Sequence, residues 1–111
     1  RGIFKGWSNE SLKAYVNYAL SDHEDGVVLK CSPKREAEIF GSYPKRLWSY
    51  LNNVKTETRI MAAENSFPFI ARSVERLTKK RNFTSETVQG GHCFMMEDPQ
   101  GTAEKVKEWL L

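Results

Sequence analysis

The residues best suited to chemistry lie in one stretch, Gly90-Gly91-His92-Cys93-Phe94-Met95-Met96-Glu97-Asp98-Pro99. A histidine that follows a strand and a Gly-Gly pair sits on a loop at the strand's carboxyl end, the edge where open parallel sheets place their ligands. The two glycines let the backbone turn sharply, so the imidazole can face a neighbouring loop. Imidazole titrates near neutrality, which suits a general base. The plainer alternative is a loop histidine held by a local hydrogen bond, and spacing alone does not choose between them.

Other candidates read more simply. His23 lies among Asp22, Glu24 and Asp25, but metal ligands packed side by side rarely converge, so a solvated acidic turn is the better reading. Cys93 follows His92 directly; successive residues in extended backbone point to opposite sides, which favours a pocket-lining or core thiol over a thiol-imidazole pair. Gly6-Trp7-Ser8-Asn9-Glu10 imitates a nucleophile elbow but lacks the second glycine and a preceding apolar strand; Ser8 reads as a helix cap. Lys79-Lys80-Arg81 is a basic helix end. Trp7, Tyr43 and Trp48 either line an acyl pocket or pack against one another.

These residues need elements to position them. Ser8 caps a helix whose Leu12, Tyr15, Val16, Ala19 and Leu20 share one face. The turn Asp22–Gly26 follows, then Val27-Val28-Leu29-Lys30, which is too short to classify. Pro33 opens a helix that Gly41 and Pro44 end, and Lys45 to Asn53 is expected as another, with Leu47, Trp48 and Leu51 buried. From residue 56 the pattern reads strand, helix, strand, helix. Thr58 to Ala63 forms the first strand and Glu64-Asn65-Ser66 the turn. Pro68 starts a helix with Ile70, Val74 and Leu77 on one face. Phe83 to Val88 is the second strand, broken by Gly90-Gly91, and Asp98-Pro99 caps a last helix whose apolar stripe is Ala103, Val106, Trp109 and Leu110. Strand, helix, strand with a helix of this length is the pattern of a parallel crossover. Two such strands are too few for a parallel sheet, which survives with several strands and both faces covered. The expectation is therefore the end portion of a larger doubly wound sheet.

The chain has 111 residues with 17 lysines and arginines against 14 aspartates and glutamates, a net charge of +3. The length is room for one domain and one core, and the charge is too mild to argue for a nucleic-acid partner. No apolar run approaches the roughly 18 residues of a membrane helix. Two cysteines make no disulfide framework, and a reducing compartment is expected, the cytoplasm or an organelle lumen such as the peroxisome. Arg1 comes with no signal-like stretch, so the chain is expected to begin inside something longer or to have been trimmed.

The run from Thr58 to Leu111 resembles the carboxyl-terminal part of an α/β-hydrolase. In that family a strand leads to the catalytic-acid loop, a helix follows, and the last strand delivers the catalytic histidine. The matching residues are Gly91, His92, Phe94, Met95, Met96, Glu97 and Pro99. Trp7 to Phe40, with Asp25-Gly26-Val27-Val28-Leu29-Lys30-Cys31 and Glu36-Ala37, resembles the end of the helical cap carried by some members. The resemblance implies an α/β fold, with residues 1–54 a cap or lid segment and 55–111 the last two strands and helices of the core. It implies a triad of nucleophile, acid and histidine, with His92 as general base. The family's acid position is filled here by Ser66, within Ala63-Glu64-Asn65-Ser66. The acid is then either Glu64, two residues earlier, or a group at the end of an earlier strand outside the chain, which the offset favours. The nucleophile would lie in an amino-terminal portion, so that this chain alone is catalytically silent. Phe94, Met95 and Trp48 are the expected substrate-binding residues, a small acyl or lipid-like molecule the expected substrate, and no metal or cofactor is implied. Two other readings stay open: a non-catalytic binding protein or receptor of the same fold, and a small independent α/β interaction module.

Overall fold

The computed structural model describes residues 2–111. They form two compact units, one of residues 2–12 and 55–111 and the other of residues 13–54. The helix α1 (Asn9–Ala19) runs across the division in sequence. Ser8 caps it: its Oγ accepts from the Ser11 N–H at 3.1 Å and its carbonyl from the Leu12 N–H at 3.0 Å. Ser11 is the buried residue of this helix.

The unit of residues 13–54 holds a hairpin that periodicity did not resolve. Strand β1 (Leu20–His23) pairs antiparallel with β2 (Gly26–Leu29), Leu20 opposite Leu29 and His23 opposite Gly26. Gly26 makes the reversal with φ of +128°, a region a side chain would strain. Helix α2 (Pro33–Gly41) starts as the sequence suggests, with Ser32 Oγ accepting from the Arg35 N–H and proline in its first turn. The expected helix of residues 45–53 is shorter: α3 (Leu47–Tyr50) runs into a 3-10 turn at Leu51–Asn53. Leu47 and Trp48 are exposed rather than buried, and no residue from 13 to 54 is buried.

The other unit is built on one parallel pair. Strand β3 (Thr58–Asn65) pairs with β4 (Phe83–Gly91), and helix α4 (Pro68–Thr78) connects them. The pair has a helix on each side. Ala62, Ala71, Val74, Ser85 and Thr87 line a cleft of about 600 Å³ between the strands and α4. Met61, Glu86, Val88, Thr102 and Lys105 line one of about 290 Å³ on the side of α6 (Pro99–Leu110). The chain is thus mixed α/β with one parallel pair and one antiparallel pair. The parallel crossover suggested by the sequence is present; the larger sheet it was expected to belong to is not among these elements.

Three details depart from the sequence pattern. Both strands run longer than their apolar cores, β3 through Asn65 and β4 through Gly91, so Gly90-Gly91 lies inside the ladder rather than breaking it. A four-residue helix, α5 (Phe94–Glu97), follows His92. Ala103, Val106 and Leu110 of α6 are exposed, while Pro99, Gly101, Thr102, Lys105 and Trp109 are the part-covered positions. Lys105 Nζ lies 2.7 Å from Glu86 Oε1, and the Arg59 guanidinium lies 5.7 Å from the Trp109 ring centroid. A charge pair and a cation over a ring therefore tie α6 down where an aliphatic stripe was expected. Among the described residues the buried apolar side chains are Ala63 and Phe83, both on the parallel pair. A two-strand parallel pair offers room for little more.

Candidate functional site

The parallel ladder places two loop residues together by counting. From Thr58 opposite Phe83 to Ala63 opposite Val88 the partners are 25 positions apart; Asn65 then pairs with Gly91, 26 apart. One residue separates Ala63 from Asn65, but two, Gln89 and Gly90, separate Val88 from Gly91, so β4 carries the extra residue of a bulge. Gly90 sits there with φ of +120°. The shift aligns the next residues on each strand, Ser66 and His92. Their Oγ and Nδ1 are 2.8 Å apart and hydrogen-bonded. A hydroxyl can donate or accept, so either imidazole tautomer fits this bond.

Aromatic rings flank the imidazole. Phe67, next to Ser66, has its ring centroid 4.8 Å from that of His92, and Phe69 stacks on Phe67 at 5.6 Å with ring planes 6° apart. Both phenylalanines are exposed. They stand at the start of α4, where Phe67 is the cap residue and Pro68 the first helical one.

Glu97 closes the loop from its far end. Its two carboxylate oxygens lie 3.1 and 3.0 Å from the Gly91 nitrogen and accept its N–H. Met96, beside it, accepts from the Ser8 N–H through its carbonyl at 2.8 Å. Asp98 then accepts from the Gly101 N–H at 2.9 Å and caps α6, as the Asp98-Pro99 pair suggests.

The expected site residues divide. His92 lies at the carboxyl end of β4, exposed, with its Nδ1 on Ser66. Glu64 does not meet it: the Glu64 side chain is exposed and its Oε1 accepts from Asn65 Nδ2 at 3.2 Å. The physical reason is position along the strand: Glu64 lies within β3, two residues short of Ser66, whereas His92 stands past the end of the ladder. Phe94 lines the cleft on the α6 side, Met95 is exposed on α5, and Trp48 belongs to α3 in the other unit. Phe67 and Phe69, which the sequence reading did not single out, are the aromatic groups beside the imidazole. Their signal was the flanking of Pro68 directly after the turn serine.

Two rejected candidates keep their plain structural readings. His23 Nδ1 accepts from the Asp25 N–H at 3.4 Å within an exposed turn. Ser8 is occupied with capping. Cys31 and Cys93 are free thiols, and no helix among the described residues is long and apolar enough to cross a membrane. No family model, curated protein or solved structure matches the chain.

Proposed function

We propose that this chain is the histidine-bearing portion of an α/β-hydrolase acting on an ester or related acyl bond. The observation that carries the reading is the placement of His92 at the carboxyl end of a parallel strand, with Nδ1 bonded to the residue that follows the neighbouring strand. That is where a triad's orienting group belongs. With Nδ1 occupied by Ser66, Nε2 is the nitrogen that would take the nucleophile's proton and return it to the leaving group. The nucleophile comes from an amino-terminal portion, and residues 1–54 are read as a cap or lid segment, as the resemblance implies. Phe67 and Phe69 give the pocket an apolar wall suited to a small acyl or lipid-like substrate. Among described residues no non-glycine has positive φ, so Ser66 lacks the strained turn of a nucleophile elbow and is read as the orienting group. Two free thiols fit a reducing compartment.

A second reading has its own support. The orienting group is a neutral hydroxyl, which cannot stabilise an imidazolium by charge, and this favours a non-catalytic binding protein of the same fold. One experiment separates the two. The full-length protein is treated with a labelled fluorophosphonate and assayed for ester hydrolysis, alongside His92→Ala. Serine labelling together with a loss of about a thousandfold or more in kcat/KM for the variant supports the enzyme. Unchanged turnover in His92→Ala refutes the role given to His92, and absence of labelling favours the binding protein.

A further inference from the structure

The loop that carries His92 is held by a carboxylate clamp with no room for side chains around it. Glu97 presents both oxygens to the Gly91 N–H, the amide immediately before His92. A Cβ on Gly91 would stand 2.7 Å from Glu97 Oε1, and one on Gly90 would stand 2.9 Å from Oε2. A third glycine, Gly6, approaches from the amino-terminal segment, where a Cβ would lie 3.3 Å from Glu97 Cδ. Gly91 has no positive φ, so backbone freedom does not explain it. The Glu97 oxygens occupy the space a side chain at 91 would take, so a larger residue there would have to push the carboxylate aside.

From this we infer that Glu97 is a positioning residue for His92. It ties residue 97 to residue 91 and closes the turn that begins at the imidazole. A carboxylate accepting from a backbone N–H is among the stronger hydrogen bonds available to a loop. The clamp acts on the backbone just before His92, so it sets where the ring stands relative to Ser66 and Phe67. The inference rests on the reading of His92 as the working residue of the site, but its geometry is measured separately from catalysis.

The test is carried out on the full-length protein with isotope-labelled glycine and histidine. Glu97→Ala is expected to accelerate exchange of the Gly91 amide about ten- to a hundredfold. It should also abolish the ring-to-ring proton contact between Phe67 and His92, while amides of Ile60, Met61, Ser85 and Glu86 keep their protection. Glu97→Gln retains one accepting oxygen and should restore the ring contact and most of the protection. Gly91→Ala leaves Glu97 in place but puts a methyl group against it, and should reproduce the local loss. Unchanged Gly91 exchange and an intact Phe67–His92 contact in Glu97→Ala overturn the proposal. Unfolding of both Glu97→Ala and Gly91→Ala overturns it too, since that assigns Glu97 to the fold as a whole. Failure of the hydrolase reading would show instead as unchanged turnover in His92→Ala with the clamp intact.

Discussion

Ser66 Oγ and His92 Nδ1 meet at 2.8 Å across the ends of two parallel strands, 26 positions apart in the chain. The hydroxyl stands where a carboxylate would lock one tautomer and stabilise a positive ring. Ser66→Asp is therefore expected to raise kcat of the full-length protein at least about tenfold, and Ser66→Ala to lower it severalfold; a triad's acid is worth on the order of 10⁴ elsewhere. Nitrogen-15 spectra should show the His92 ring shifting toward the Nδ1–H form in the aspartate variant. No change in either measurement would mean that Ser66 does not orient the ring.

Phe83 anchors the core of the parallel pair. It is 5% exposed and, with Ala63, makes up the buried apolar set of the described residues. Truncation to alanine should cost about 3–5 kcal/mol, the usual range for a buried aromatic. Denaturant melts would show the midpoint falling sharply, or no cooperative transition for this unit. A loss below about 1 kcal/mol would mean that Phe83 is not packed as the structure has it.

Asp98 is both the last residue of the loop and the cap of α6. Its Oδ1 accepts from the Gly101 N–H at 2.9 Å. Asp98→Ala should destabilise by about 1 kcal/mol and Asp98→Asn by less, since asparagine caps nearly as well. Thermal melts of the two variants side by side provide the check.

Lys105 gives the α6 face a dependence on alkaline pH. The hydrogen bond to Glu86, then the charge of Glu86, hold its pKa above the ordinary 10.5, with partial desolvation opposing. A raised folded-state pKa adds stability that is fully present below the unfolded value and fades as pH climbs through the folded one. The difference in Tm between the native chain and Glu86→Gln should therefore be largest below about pH 10 and shrink above it. A difference constant up to pH ~12 would show that the 2.7 Å pair makes no contribution linked to protonation.

Much of this arrangement was legible in residue order. Ser8 and Asp98 announced their helices, because a cap is a local hydrogen bond fixed by two or three neighbouring residues. The parallel pair followed from strand, helix, strand. The hairpin of Leu20–Leu29 was hidden because Ser21, Asp22 and His23 break the alternation that marks a strand; the register with β2 supplies what the pattern lacks. The covered side of α6 was legible only in part: Trp109 of the expected stripe is part-covered, but Ala103, Val106 and Leu110 are exposed and a long amphipathic lysine takes their place. At the site, His92 stood out by its flanking glycines. Its partner could not be read, since the unbroken register would set His92 opposite Phe67 and only the bulge, which no residue pattern announces, brings it opposite Ser66.

That bulge gives the site an unusual sensitivity. A parallel ladder works like two rulers laid edge to edge, and the surplus residue between Val88 and Gly91 offsets their scales by one division. Most substitutions along the strands leave the scales aligned as they are. Straightening the bulge with every residue kept would bring Gly91 opposite Ser66 and slide the imidazole past it, erasing the pairing without altering either of its members, whereas removing Gln89 alone would leave Ser66 opposite His92.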